Sequence, residues 1–480
     1  MADTSRPLDP PPAQYADLDR VHALQAKAFS EEPYPAAKTR AARLTALIRA
    51  LETNEKRIVE AVSADFGNRA RQETILAEII VTVSAAKGAR RHLKKWMRAR
   101  KVATPLYMAP AKSRIEPQPL GVIGIMSPWN YPMQLALSPA TAALAAGNRA
   151  MIKPSELTPS TSELMKEIIR AEFDENLLAV MTGGVDVGAA FAAIPFDHLL
   201  FTGSTAVGCK IYQTAAKNLT PVTLELGGKS PAIIDDSADI AEAALSIAQG
   251  KTFNAGQTCV APDYVLTPRG KIDATIAALA GSVRRLFPEI DATGDYTSIV
   301  SDRHFARLKS LIADAKEAGA RIVEVGSSNA LDPQRKLPFT MVIDPPATSP
   351  IMQEEIFGPI LPVVSIESRE AAIAHVNKGE RPLALYWFGK DEKARDDALR
   401  RTIAGGVTVN DTLWHVAQEN LPFGGVGKSG IGAYHGEKGF ETFSNMKPVF
   451  YQSRFASNKM LYPPFTEKTD KIMNLARKLM

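Results

Sequence analysis

The chain has 480 residues, too many for one simple core, so two or three domains are expected. It is 45% hydrophobic and 23% charged, as in ordinary globular proteins, and Lys plus Arg (57) over Asp plus Glu (52) leaves a formal +5. Spread over this length, that charge gives little reason for a nucleic-acid or membrane partner. The two cysteines, Cys209 and Cys259, exclude a disulfide framework or an all-cysteine metal site and suit a reducing cytoplasm.

In chain order, residues 1–17 are polar and Pro-rich, lack the pattern of a signal peptide and are expected as a loose tail. From about Leu18 to Lys101 the pattern is that of long amphipathic helices, with Leu44, Leu47, Ile48 and Leu51 at helical spacing. The basic stretch Arg90–Lys101 reads as a solvated helix end or subunit edge rather than a nucleic-acid site. The run Gln118–Asn148 has no charge, but Pro119, Pro128, Pro132 and Pro139 break it. A buried strand plus a helix is therefore expected, not a membrane span.

After Pro119, short apolar runs (Gly121–Met126, Ala150–Ile152, Leu178–Met181, His198–Phe201, Val222–Leu226) alternate with helix-like stretches near Gln134–Ala146, Ser160–Arg170 and Thr205–Lys217. Such alternation predicts βαβ units and a parallel sheet covered on both faces. A second series follows: helices near Ile240–Gly250, Lys271–Arg285 and His304–Ala318, and strands near Tyr264–Thr267, Leu361–Ile366, Leu383–Phe388 and Val407–Val409. It predicts a second α/β domain. The last stretch, Thr466–Met480, is amphipathic through Ile472, Met473, Leu475 and Leu479. It is too short to span a bilayer and is expected to pack on its own chain.

Three glycine motifs compete as phosphate sites. Gly425–Gly430 fits G-x-G-x-x-G but lacks a strand–turn–helix context, and as a P-loop it has Pro422 where the first glycine is needed. Gly228-Lys229-Ser230 fails likewise at Thr223, so both read as backbone turns. Gly203-Ser204-Thr205-Ala206-Val207-Gly208 directly follows an apolar strand and opens a helix, where free amides and the positive helix end would hold a pyrophosphate.

Cys209, on a helix beside Lys210, reads as a small buried hydrophobe. Cys259 differs because Glu225 closes an apolar strand in Leu224–Gly228 and Asn130 lies in the charge-free segment Ser127–Pro132. A thiol, a carboxylate and an amide donor are the parts of covalent acyl chemistry.

Seven segments (Ser127–Pro132, Lys153–Glu156, Phe201–Gly208, Leu224–Pro231, Phe253–Cys259, Glu354–Pro359 and Pro422–Gly430) resemble, in order, the motifs of the aldehyde dehydrogenase superfamily. The resemblance covers roughly residues 20 to 450. Cys259–Tyr264 and Gly432–Gly436 are similar to its class 3 branch of fatty and aromatic aldehyde enzymes, and length and tail resemble the bacterial members acting on coniferaldehyde.

The resemblance implies NAD(P)-dependent oxidation of an aldehyde to a carboxylic acid. Cys259 would attack the aldehyde, Asn130 and the Cys259 N–H would hold the oxyanion, and Glu225 would activate the water that hydrolyses the thioester. No metal is required. Lys153, Ser155 and Glu156 would meet the adenosine ribose. Glu156 favours NAD, while NADP remains possible. Gly203, Ser204, Val207 and Gly208 would form the pyrophosphate turn, and Glu355 and Phe357 would position the nicotinamide end.

Tyr131, Phe253 and Trp414 would line a funnel for a planar aldehyde such as coniferaldehyde, the alternative being a medium- or long-chain aliphatic aldehyde. The implied fold is α/β: a Rossmann-like doubly wound cofactor domain (18–225, with a bridging segment about 101–117), a second α/β catalytic domain (226–435) and a small oligomerisation segment (436–452). A tail (453–480) follows. The expected partner is a second copy in a cytoplasmic homodimer. Rival readings are a P-loop phosphotransferase, a non-redox acyl-transfer enzyme and a non-catalytic relative.

Overall fold

The computed structural model describes residues 13–105, 108–455, 459 and 461–479. Along the chain the strands are β1 (Arg100–Val102), β2 (Lys112–Pro119), β3 (Val122–Met126), β4 (Arg149–Lys153), β5 (Leu178–Val180), β6 (His198–Thr202) and β7 (Val222–Glu225). Then come β8 (Pro231–Ile234), β9 (Tyr264–Pro268), β10 (Arg321–Val325), β11 (Phe339–Ile343), β12 (Ile360–Ile366), β13 (Ala384–Phe388) and β14 (Gly406–Val409). Two more, β15 (Gly430–Ile431) and β16 (Ser444–Tyr451), close the series.

The first large sheet has the order β15-β7-β6-β3-β4-β5 and is parallel except at β15. From β3 the chain builds outward through β4 and β5, then returns to place β6 and β7 on the other side. The carboxyl ends of β3 and β6 therefore flank a topological switch point, the place where open α/β sheets bind ligands. The second sheet, β10-β11-β12-β9-β8-β13-β14, is parallel except for β10 against β11. A small antiparallel sheet, β1-β2-β16, joins two segments far apart in sequence.

The charge-free run forms β3 and the helix Gln134–Ala146, in which every residue is buried. That helix packs on Ala37–Thr53, Val81–Trp96 and Gly436–Thr442, and Gly147 ends it at φ 99°. Its lack of charge reflects burial on all sides. Among the described residues, no helix is long and apolar enough to cross a membrane.

Several expectations are corrected. The helix Ala13–Glu31 begins inside the stretch read as a loose tail, because Leu18 and Val21 dock on the first sheet and Gln25 donates to the Ala150 carbonyl. Residues 1–12 lie outside the described residues. Cys209 is exposed: its helix, Thr205–Ala216, buries Gly208, Ile211 and Ala215, and position 209 falls beside that stripe. The C-terminal helix Glu467–Leu479 leaves Met473 and Leu475 exposed rather than packed, while the Leu479 side chain lies outside the described ones. β15, from the stretch assigned to the second domain, completes the edge of the first sheet: Gly430 pairs with Glu225.

Candidate active site

The ends of four strands meet at the crevice: β3 leads into Ser127–Tyr131, β4 ends on Lys153, β6 leads into the glycine turn and β7 ends on Glu225. The helix Thr205–Ala216 starts at Ser204 without a side-chain cap, so its first amides are free to meet an anion. Gly203 is half-buried and Ser204 and Val207 are exposed, which opens this helix end to solvent, while Gly208 is buried. Lys153 is buried, donates to the Pro154 carbonyl at 2.7 Å and lies 3.7 Å from Glu156. Desolvation lowers its pKa. Ser155 folds inward, its hydroxyl accepting from the Leu157 N–H at 3.2 Å. An open amide-rich helix end beside an exposed carboxylate and a buried cation fits a dinucleotide.

Gly425–Gly430 forms a tight turn. The Ser429 hydroxyl accepts from the Val426 N–H at 2.8 Å, and Gly430 returns to β7.

Cys259 is held by a strained loop. Asn254, Ala255 and Gly256 all have positive φ (52°, 51° and 71°). A Cβ at Gly256 would lie 2.4 Å from the Gly358 carbonyl oxygen, so this position has no room for a side chain. The Gln257 amide ties the turn together: Nε2 donates to the Asn254 and Ser298 carbonyls, and Oε1 accepts from the Val300 N–H. Asn130 Nδ2 donates to the Gln257 carbonyl at 3.1 Å, and Asn254 Nδ2 donates back to the Asn130 carbonyl at 3.1 Å. The candidate oxyanion donor is thus stitched to the loop that carries the thiol.

Two carboxyls face this thiol. Glu225 is buried with no hydrogen-bond partner on either oxygen, and desolvation drives its pKa well above the usual carboxylate range. Glu355 is pushed up to about 8, by burial first and then by Asp263. The Gly228 N–H donates to it, and a Cβ on Gly227 would lie 1.8 Å from its Oε2, so only glycine admits it. The Cys259 thiol is pushed up to about 12 by burial, with Glu355 and Glu225 adding to the shift. Phe357, at φ 55°, sets its ring edge-on to Trp129 at 5.3 Å.

Tyr131, Phe253 and Trp414 line one cavity of about 180 Å³ with Cys259, Phe423 and Tyr434. Tyr131 stacks on Phe253 at 6.4 Å and its hydroxyl meets that of Thr258 at 2.6 Å. Trp414 stands 61% exposed at the mouth.

Sequence reasoning passed over several residues here. Arg69 and Glu78 form a fully buried ion pair at 3.0 Å. Glu78 accepts from the Met133 and Gln134 N–H groups that open the buried helix, and Arg69 donates to the Asn130 carbonyl. Glu73 accepts from the Asn254 N–H and the Thr297 hydroxyl. In sequence all three are charged residues inside the stretch read as long amphipathic helices, with nothing to mark them out. The buried Lys251 has an unpartnered ammonium, is lowered to about 8 chiefly by desolvation, and bears on Glu355. The basic stretch Arg90–Lys101 ends a helix, and its Lys95 and Arg100 pair with Glu437 and Glu441.

Residues 6–449 match the aldehyde dehydrogenase family. A Pseudomonas aeruginosa protein named as a probable coniferyl aldehyde dehydrogenase is 47% identical over 456 residues, covering 95% of each chain. A solved structure of Staphylococcus aureus AldH in a substrate-bound state superposes with a TM-score of 0.91 at 40% identity, over 95% of this chain and 99% of that one. A Mycobacterium tuberculosis aldehyde dehydrogenase complexed with NAD+ gives 0.82 at 28% identity, over 92% and 90%. The chain belongs to the aldehyde dehydrogenase family.

Proposed function

We propose that this aldehyde dehydrogenase oxidises a planar aromatic aldehyde, with coniferaldehyde as the test case, to its carboxylic acid through a thioester on Cys259. NAD is the preferred cofactor and NADP is admitted. The observation that carries this reading is the placement of Cys259 on the wall of an aromatic cavity, beside a crevice fit for a dinucleotide. An apolar cavity of about 150 Å³ accepts a benzene ring. At about 180 Å³, this cavity suits one aromatic head group.

Within that reading, the Cys259 sulfur attacks the aldehyde carbon, and Asn130 with the Cys259 N–H holds the resulting oxyanion. The nicotinamide, when bound, supplies the hydride acceptor that makes the thioester. Glu225 then takes a proton from water as the water oxygen bonds to the thioester carbon and the carbon–sulfur bond breaks. A carboxyl with a raised pKa is a base of useful strength once ionised. Lys153, Ser155 and Glu156 hold the adenosine end, Gly203 to Gly208 the pyrophosphate, and Glu355 and Phe357 the nicotinamide end.

The similarity to a probable coniferyl aldehyde dehydrogenase and to an NAD+-complexed enzyme supports the substrate and cofactor choices. The residue ranges 18–225, 226–435 and 436–452 serve as cofactor, catalytic and oligomerisation units, except that β15 of the second range belongs to the sheet of the first. A cytoplasmic homodimer joined along β16, which leaves Phe450 and Tyr451 exposed at a sheet edge, is part of the proposal.

The test is a panel of coniferaldehyde, benzaldehyde and a medium-chain alkanal, with NAD and NADP in parallel. A higher kcat/KM for coniferaldehyde is expected, and preference for the alkanal would overturn the substrate assignment.

A further inference from the structure

Two buried groups beside the candidate nucleophile have no hydrogen-bond partner, and the mechanism above uses only one of them, Glu225. The other is Tyr434. Its ring lines the same cavity as Cys259, it is only 1% exposed, and its hydroxyl has no hydrogen-bond partner. A buried phenol normally finds one, because an unpaired hydroxyl loses its bonds to water with nothing in exchange.

Backbone pairing and ring packing hold this side chain in the cavity wall. Tyr434 exchanges both backbone hydrogen bonds with Phe423 at 2.8 Å, and its ring meets those of Phe423 at 6.0 Å and His435 at 4.5 Å. Four residues earlier the same segment pairs with Glu225 through Gly430. Glu225, Cys259 and Glu419 are the charged or ionisable groups that bear on the phenol. Burial first, and these groups after it, hold its pKa well above the ordinary tyrosine value, so it stays neutral at working pH.

We propose that Tyr434 is a positioning residue for thioester hydrolysis, its hydroxyl holding the attacking water between Glu225 and the acyl carbon. The inference rests on the thioester reading. The water has two protons: one passes to Glu225 as the oxygen bonds to carbon and the carbon–sulfur pair returns to Sγ. The second stays on the water oxygen, and the phenol oxygen accepts it as a hydrogen bond. A neutral phenol suits this task, because it orients the water without taking the proton in place of Glu225.

Tyr434→Phe removes one oxygen and keeps the packing. The expected result is hydride transfer at the wild-type rate, seen as a burst of about one NADH per site. The acyl-enzyme, followed by mass spectrometry, should then decay about ten- to a hundredfold more slowly. The melting temperature should equal or exceed wild type, since an unpaired buried hydroxyl is gone. Wild-type decay of the acyl-enzyme, or a burst slowed in step with that decay, would overturn the proposal. Cys259→Ala separates the underlying reading: if it still forms NADH, the thioester mechanism itself fails, whatever Tyr434→Phe does.

Discussion

The guanidinium of Arg69 donates to the backbone carbonyl of Asn130 at 3.1 Å, and the carboxylate that balances its charge, Glu78, caps the helix beginning four residues beyond Asn130. Arg69 also lies over the Tyr131 ring at 4.8 Å and the Phe66 ring at 5.3 Å. One buried ion pair therefore fixes the loop bearing the candidate oxyanion donor and the aromatic wall of the cavity.

Removing one partner of such a pair leaves an uncompensated buried charge, a loss of about 3–5 kcal/mol. Glu78→Ala also strips the Met133 and Gln134 amides of their acceptor. The expected outcome is an unfolding free energy, taken from the urea midpoint and slope, that is lower by that amount, with lower kcat in the protein that remains folded. An unchanged midpoint would contradict the role given to the pair.

A second prediction concerns the thiol before cofactor binds. With its pKa pushed up to about 12, by burial first, Cys259 is almost wholly protonated at pH 7. The thiolate fraction, and with it iodoacetamide alkylation, should climb about tenfold per pH unit from pH 7 to 10. NAD+ should speed the reaction at fixed pH, because a positive ring beside the sulfur favours the thiolate and opposes Glu355 and Glu225. Peptide mass spectrometry separates Cys259 from the exposed Cys209. A rate at Cys259 that is flat with pH would show that its thiolate is already formed.

What could be read beforehand follows the range of the interactions. The helix Gln134–Ala146 and the strands β3 to β7 were legible because apolar runs and a closing glycine are local signals. Asn130, Glu225 and Cys259 stood out through the motifs around them. Arg69 and Glu78 did not, since their partners lie 61 and 56 residues away and a charged residue in a helical pattern reads as solvated. Tyr434 was hidden for the same reason: what marks it is an absent partner, visible only once the chain has folded around it. The strand β8 escaped because it opens on Pro231, a residue that argues against a central strand.

Cofactor choice should turn on Glu156. Its side chain is well exposed and lies 3.7 Å from the Lys153 ammonium, where a carboxylate accepts from a ribose 2′-hydroxyl and repels a 2′-phosphate. Glu156→Gln removes the repulsion and leaves Lys153 free to attract the phosphate. The ratio of kcat/KM for NADP over NAD should rise about tenfold, mainly through KM, the size expected for roughly 1.4 kcal/mol between the two cofactors. An unmoved ratio would place discrimination elsewhere.

Trp414 supplies the sharpest test of the substrate assignment. It stands on the short helix Trp414–Ala417, turned by the left-handed Leu413 at φ 65°, and is 61% exposed beside the cavity that holds Cys259. So exposed a ring adds little to folding, and its replacement should leave the melting temperature unchanged. If it covers the aromatic portion of the aldehyde, an aromatic pair contributes about 0.5–1.5 kcal/mol. Trp414→Ala should then lower kcat/KM for coniferaldehyde about two- to tenfold, while propanal, too short to reach the mouth, is oxidised as before. Equal losses for both aldehydes would mean that the ring shapes the thiol's surroundings rather than the substrate's, and the aromatic preference would have to come from Tyr131 and Phe253 alone.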